Sequence, residues 1–256
     1  DLGAEKFFNV KCRAAGITPA AAVCVVTCRA LKMHGGVPYD ALSSANVDAV
    51  RGGLANVRVH VENLLKFGVP VVVAVNRFTN DTPAELDAVF EFCDARGWPA
   101  ALSEVASRGG NGGRELAESV LACLDESEGR NRNFRYLYDP SAPLKAKIET
   151  IAREIYRADG VDYSESAEAA IANLERLGFA ELPLCMAKTQ LSISDDPKKL
   201  AAPTGWRLSV RNLEVRNGAG YIVVLTGKML LMPGMPKKSA VEQIGIDENG
   251  DIFGLS

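Results

Sequence analysis

The stretch Val25-Val26-Thr27-Cys28-Arg29-Ala30-Leu31-Lys32-Met33-His34-Gly35-Gly36 decides how this chain is read. Small and β-branched residues run from Ala20 to Thr27, then stop abruptly at Arg, Lys, His and two glycines. Such a run predicts a buried strand that delivers polar groups and a bendable loop to one edge of a sheet. In open α/β sheets ligands bind outside the carboxyl ends of the strands. Arg29, Lys32 and His34, beside the Gly35-Gly36 bend, therefore form a candidate anion site. The bland alternative is two surface charges and a hydrogen-bonded loop histidine.

Working outward, Ser43, Ser44 or Asn46 can cap a helix running to about Phe67, with Val47, Val50, Leu54, Val57, Val61 and Leu64 at helical spacing. Gly68 and Pro70 end it. Val69 to Val75 is too short and too β-branched for a helix and predicts a second buried strand. Thr82, Pro83 and Glu85 start another helix, through Arg96. Ala100 to Ser103 is a weaker third strand, and glycines at 109, 110, 112 and 113 precede a helix from about Arg114 to Leu124. Strand and helix alternating in this order give an α/β parallel sheet with crossover helices.

The polar stretch from Glu126 to Arg135 is the expected boundary, which divides the chain into residues 1–128 and 129–256. Beyond it the pattern predicts helices at about 142–157 and 165–177, strands at 182–187, 206–216 and 220–226, and a Ser- and Asp-rich loop from Ser192 to Pro197. Asn249-Gly250 within Ile246–Ile252 signals a terminal hairpin. The second half is thus a smaller mixed α+β unit.

Composition bounds the function. The 256 residues are 47% apolar and 24% charged, with a net charge of −3 and no basic block, which argues against nucleic acid as the partner. No apolar run reaches the length of a membrane span. Six scattered cysteines without a CxxC pair fit a reduced, cytoplasmic protein, and two histidines far from any cysteine pair make zinc an unsuitable guess. The chain opens at Asp1 with a sequence that reads like an interior, so a fragment or cleavage product is expected.

Asn76-Arg77-Phe78-Thr79-Asn80-Asp81 follows the second strand directly. An Asn and an Asp after a strand can read a purine ring, as in GTPase-like proteins, or can simply cap the next helix. Ser103-Glu104-Val105-Ala106 leads into the glycine-rich loop, which either binds an anion or bends the chain. His60, on a predicted helix, reads as a packing residue.

The residues from Val25 to Gly36 resemble a signature segment of formate–tetrahydrofolate ligases, with Val26 where the family usually has Ala. Asp1–Phe7, Asn76–Thr82, Ser103–Gly110, Leu184–Gln190 and Met232–Lys237 extend the resemblance along the whole chain. The resemblance implies a P-loop-NTPase-like (Rossmann-like) first portion and a ligase that uses ATP and tetrahydrofolate, with Mg2+ and a monovalent cation as family cofactors. It implies that Phe78 stacks on the pterin. It also implies that Arg29, Lys32, His34, Gly35, Gly36, Asn76 and Asp81 face the nucleotide or formyl phosphate. The family's second stacking aromatic, a Trp, is replaced by Ala106, a loss worth roughly 1–3 kcal/mol by analogy with base stacking.

The G-x-x-x-x-G-K-[ST] phosphate loop that the family resemblance leads one to expect for ATP does not occur in these residues. Gly227-Lys228 fails because Ile222 stands at the first glycine position and Met229 at the Ser/Thr position. The resemblance therefore implies the carboxyl-terminal part of such an enzyme, inactive without an amino-terminal P-loop half. A homo-oligomer is the family's habit. The other reading is a non-catalytic nucleotide- or folate-binding module.

Overall fold

The structure, a computed structural model, describes residues 3–128, 133–227 and 238–254. Part of the expected boundary at 126–135, Lys228 and the Met232–Lys237 motif lie outside the described residues. An amino-terminal helical segment (Gly3–Lys6, Phe7–Cys12 and Arg13–Ala15) leads into the first sheet. That sheet contains β1 (Ala22–Val26), β2 (Val71–Asn76) and β3 (Ala100–Ser103), all parallel and in the order β1-β2-β3. Between β1 and β2 lie α1 (Cys28–His34) and α2 (Val47–Lys66); α3 (Pro83–Asp94) joins β2 to β3, and α4 (Arg114–Glu128) follows.

Local chemistry explains these elements. Val71 to Val75 are all buried, as a central parallel strand requires. The Asn46 side chain accepts the Ala49 N–H and starts α2. Thr82 and Glu85 form a capping box at α3, with Pro83 in its first turn. One expectation is corrected here: the segment after β1 is a helix and not a loop. Thr27 caps α1 by accepting the Ala30 N–H at 3.1 Å, and Cys28, Leu31 and Lys32 form its buried stripe.

The second sheet has the order β4-β6-β7-β5, built from β4 (Gly160–Tyr163), β5 (Leu184–Ala187), β6 (Arg207–Arg216) and β7 (Tyr221–Thr226). β4 runs parallel to β6 and β5 parallel to β7, whereas β6 and β7 are antiparallel, making this sheet mixed. Helices α5 (Leu144–Glu154) and α6 (Glu165–Arg176) accompany it. The terminal hairpin pairs β8 (Gly245–Ile246) with β9 (Ile252–Phe253), and Gly250 takes a φ of +88° in its turn. The result is an α/β fold: a parallel-sheet portion followed by a smaller mixed unit.

One core runs through both. Phe8 packs against Phe67 and Phe134 with ring centroids 4.8 and 5.8 Å away. Asn63, on α2, donates its Nδ2 hydrogen to the Ile155 carbonyl at 2.8 Å, and Arg157 pairs with Glu62 at 2.8 Å. The two sheets are thus tied along α2. Among the described residues no helix is long and apolar enough to cross a membrane.

Candidate functional site

Parallel pairing brings the carboxyl ends of β1, β2 and β3 to one edge, with Asn76 in register with Ser103. Three segments leave that edge: α1 after Thr27, the Asn76–Asp81 loop, and the turn Val105–Arg108. Phe78 is 46% exposed there. The Asp81 Oδ2 accepts the Phe78 N–H at 2.8 Å, and the Asp81 N–H donates to the Phe78 carbonyl at 3.0 Å. This reciprocal turn holds the ring out to solvent and occupies the buried Asp81 carboxylate. Asp81 therefore shapes the Phe78 loop through Oδ2.

Beside it, Glu104 bridges two guanidiniums: Arg77 Nη1 to Oε1 at 3.0 Å, and Arg108 Nη1 to Oε2 at 2.9 Å. The Arg108 hydrogen bond, above all, holds the Glu104 carboxyl below its ordinary range. Two guanidiniums thus flank one carboxylate on this rim. The glycine run folds into a 3₁₀ turn, and the Gly112 carbonyl accepts the Glu104 N–H at 2.9 Å. In this fold the glycines bend the chain around Glu104. Ala106 is exposed where the family resemblance places an aromatic. Trp98 packs edge-on to Phe92, with ring centroids 6.0 Å apart, and offers no replacement.

The cations of the opening stretch do not converge. Arg29 is exposed and lies 5.1 Å over the Tyr39 ring. Lys32 is 1% exposed, and its Nζ donates to the Ser44 carbonyl at 3.0 Å and pairs with Glu85 Oε1 at 3.2 Å. Its charge is committed to the interior, where it pins α1 to α3. Cys28, Leu31 and Lys32 at i, i+3 and i+4 carry the helical signal that identifies this buried face.

His34 points elsewhere. Its Nδ1 accepts the Ala201 N–H at 3.0 Å, while Asn56 Nδ2 donates to the Ala201 carbonyl at 3.1 Å. Ala201 has a φ of +57°, a conformation that costs a non-glycine residue energy, so both clamps are needed to hold it. Burial pushes the His34 imidazole below its ordinary pKa, which keeps Nδ1 free to accept. Burial likewise drives His60 down to about 3. His34→Leu should leave the Ala201 N–H unpaired and cost about 1–3 kcal/mol in urea unfolding. His34→Asn, whose Oδ1 can take the same hydrogen, should lose less than half of that.

Gly35 and Gly36 differ in purpose. A Cβ on Gly35 would collide with the Ala49 backbone, so that glycine permits close packing of α1 on α2. Gly36 has a φ of +92° and open space around it. A cleft of about 460 Å³ runs along β1 and is reached by Thr27, Ala30, His34 and His60, but not by Phe78 or Asn76. Among the described residues, no group of three or more His, Cys, Asp or Glu side chains is placed to hold a metal ion.

The edge therefore presents Phe78, the Arg77–Glu104–Arg108 cluster and the exposed Arg29, while Lys32, Asp81 and Gly35 serve as its scaffold. The family model described as formate–tetrahydrofolate ligase matches residues 1–256, and the chain belongs to that family.

Proposed function

We propose that these residues supply the folate wall and one side of the nucleotide cleft of an ATP-dependent ligase that makes 10-formyltetrahydrofolate. In the intact reaction a formate oxygen attacks the γ-phosphorus of ATP and ADP leaves, giving formyl phosphate. The N10 amine of tetrahydrofolate then attacks the formyl carbon, the carbon–oxygen bond to phosphate breaks, and the amine proton is lost. Products are 10-formyltetrahydrofolate, ADP and phosphate. The observation that carries the reading is Phe78, an aromatic ring held half-exposed by the Asp81 turn at the carboxyl edge of a parallel sheet in a chain of this family. Such a ring suits the face of a pterin.

Arg29, Asn76 and Gly36 are the residues we assign to the nucleotide or formyl phosphate. Lys32, His34, Gly35 and Asp81 hold that edge in shape. Mg2+ belongs to the reaction as the family performs it, as does a monovalent cation. With no clustered ligand set among the described residues, a Mg2+ would travel on the nucleotide phosphates. No phosphate loop occurs in the sequence, so an amino-terminal P-loop half is the partner this reading requires and the chain by itself is inactive. A cytoplasmic homo-oligomer goes with it.

Titrating tetrahydrofolate against the chain and its Phe78→Ala variant tests the folate assignment. The variant should bind about 10- to 100-fold more weakly, the worth of one stacking face; equal affinities would remove Phe78 from the site. Ala106 favours a second reading, a binding module that retains the ligase scaffold without turnover. Formate-dependent ADP release after adding a family P-loop half would decide against that module.

A further inference from the structure

Arg29 is held differently from the other arginines of the carboxyl edge. Arg77 and Arg108 are both committed to the Glu104 carboxylate. No carboxylate or carbonyl among the described residues takes up the Arg29 guanidinium; its partner is the Tyr39 ring, with Cζ 5.1 Å from the centroid. The distinction matters for chemistry. A carboxylate occupies the fork of N–H donors, whereas an aromatic face holds the guanidinium through its π-cloud and leaves the in-plane donors open to an oxyanion.

The chain after α1 is shaped to bring that ring back to Arg29. Gly36, with a φ of +92°, reverses the direction, and the Val37 N–H then donates to the Lys32 carbonyl at 3.0 Å. A short 3₁₀ turn, Tyr39–Ala41, follows and is closed by the Ala41 N–H on the Pro38 carbonyl at 3.0 Å. Beyond it Leu42 is buried, and the Ser44 carbonyl accepts the buried Lys32 Nζ. The backbone around Tyr39 is thus anchored to α1 on both sides. Its ring is nevertheless 75% exposed, more than any other large hydrophobic side chain among the described residues. Leu42 serves the core here, and the Tyr39 ring serves Arg29.

We propose that Tyr39 is a positioning residue for Arg29: its ring presets the guanidinium at the sheet edge as a two-pronged seat for the oxygens of a phosphate or acyl phosphate. An exposed arginine without such a ring loses rotamer freedom each time it takes an anion. Held over Tyr39, Arg29 has lost part of that freedom already, in the folded chain. The phenol hydroxyl has no part in the contact, so a phenyl ring should serve equally well. The inference rests on the assignment of Arg29 to the nucleotide or formyl phosphate made above.

Inorganic phosphate titrated into the chain, followed by nitrogen NMR at the Arg29 Nε and at the Ala30 backbone amide, tests it. In the wild type the Arg29 Nε–H should relax as an ordered group, and both signals should shift saturably with phosphate. Tyr39→Ala should make the Nε–H mobile on the picosecond–nanosecond scale and weaken phosphate about 2- to 5-fold, the worth of an exposed cation–π contact, without moving the urea midpoint. Tyr39→Phe should match the wild type in every readout. An ordered Nε–H and unchanged phosphate affinity in Tyr39→Ala would overturn the positioning role and leave the assignment of Arg29 standing. A Phe variant that behaves like the Ala variant would also overturn it, because the hydroxyl would then be the group that acts. Phosphate shifts at the Ala30 amide that persist in Arg29→Ala would take the anion away from Arg29 and overturn both the inference and the assignment.

Discussion

Glu85→Ala is expected to cost about 3–5 kcal/mol, measured by urea unfolding, because it leaves the Lys32 ammonium buried without its counter-ion. Glu85 is 0% exposed and serves three elements at once. Its Oε1 accepts the Asn46 N–H at 2.9 Å where α2 begins and meets Lys32 of α1 at 3.2 Å. Its Oε2 accepts the Thr82 N–H and hydroxyl, both at 2.9 Å, where α3 begins. Burial alone would push this carboxyl up, but the donors from Asn46, Thr82 and Lys32 outweigh it and bring the pKa down from 4.5 to about 2. A carboxyl depressed on folding contributes stability above its unfolded pKa and loses it as pH falls through the folded one. The wild-type chain should therefore lose about 3 kcal/mol more than Glu85→Gln between pH 5.5 and pH 2. Parallel pH curves for the two proteins would show that the carboxylate is not the stabilising form. Lys32→Met should cost less than Glu85→Ala, since Glu85 then keeps its donors from Asn46 and Thr82.

That pair also shows where sequence reading succeeds and where it stops. β1, β2 and β3 were legible as short apolar runs, and the Asn46 and Thr82–Glu85 caps were legible from residue type and spacing. The chemistry of such signals is local, so three or four neighbouring residues suffice. The seven residues of α1 span only two helical turns and end in Gly35-Gly36, which made a helix look like a loop. β4 has no sequence signal of its own, because Gly160–Tyr163 holds one aliphatic residue and gains its strand only by pairing with β6. Lys32 looked like a ligand because nothing within its own segment announces Glu85, a residue more than fifty positions away. The Ala201 clamp is harder still. His34 and Asn56 recognise a backbone peptide, and a backbone peptide has no sequence signature. Phe78 is legible only through the family resemblance, and the reason it is presented, the bond from its N–H to the Asp81 carboxylate, lies in the turn.

The spacing of α1 from α2 yields the second large effect, on two adjacent glycines with opposite signs. Gly52 and Gly53 both lie inside α2, where Ala is favoured over Gly by about 1 kcal/mol. A Cβ on Gly52 would meet only the Gly35 Cα, at 3.5 Å, an ordinary contact. Gly52→Ala should therefore raise stability by about 0.5–1 kcal/mol. A Cβ on Gly53 would fall inside 3 Å of the Leu31 backbone carbonyl, which cannot rotate away as a side chain would. That carbonyl already accepts the Gly35 N–H at 2.8 Å and so closes the end of α1. Relieving the clash means lifting α1 off α2, and overpacking of this kind typically costs 1–3 kcal/mol or more. Gly53→Ala should thus lose about 2 kcal/mol despite its better helix propensity, putting about 3 kcal/mol between the neighbouring variants. The displaced α1 carries Arg29 with it and strains the Lys32–Glu85 pair at its base. Gly53→Ala should accordingly weaken any anion held at Arg29, while Gly52→Ala leaves it unchanged. Equal stabilities for the two variants would mean that α1 and α2 can separate freely, and that the position of Arg29 is set by something other than this contact.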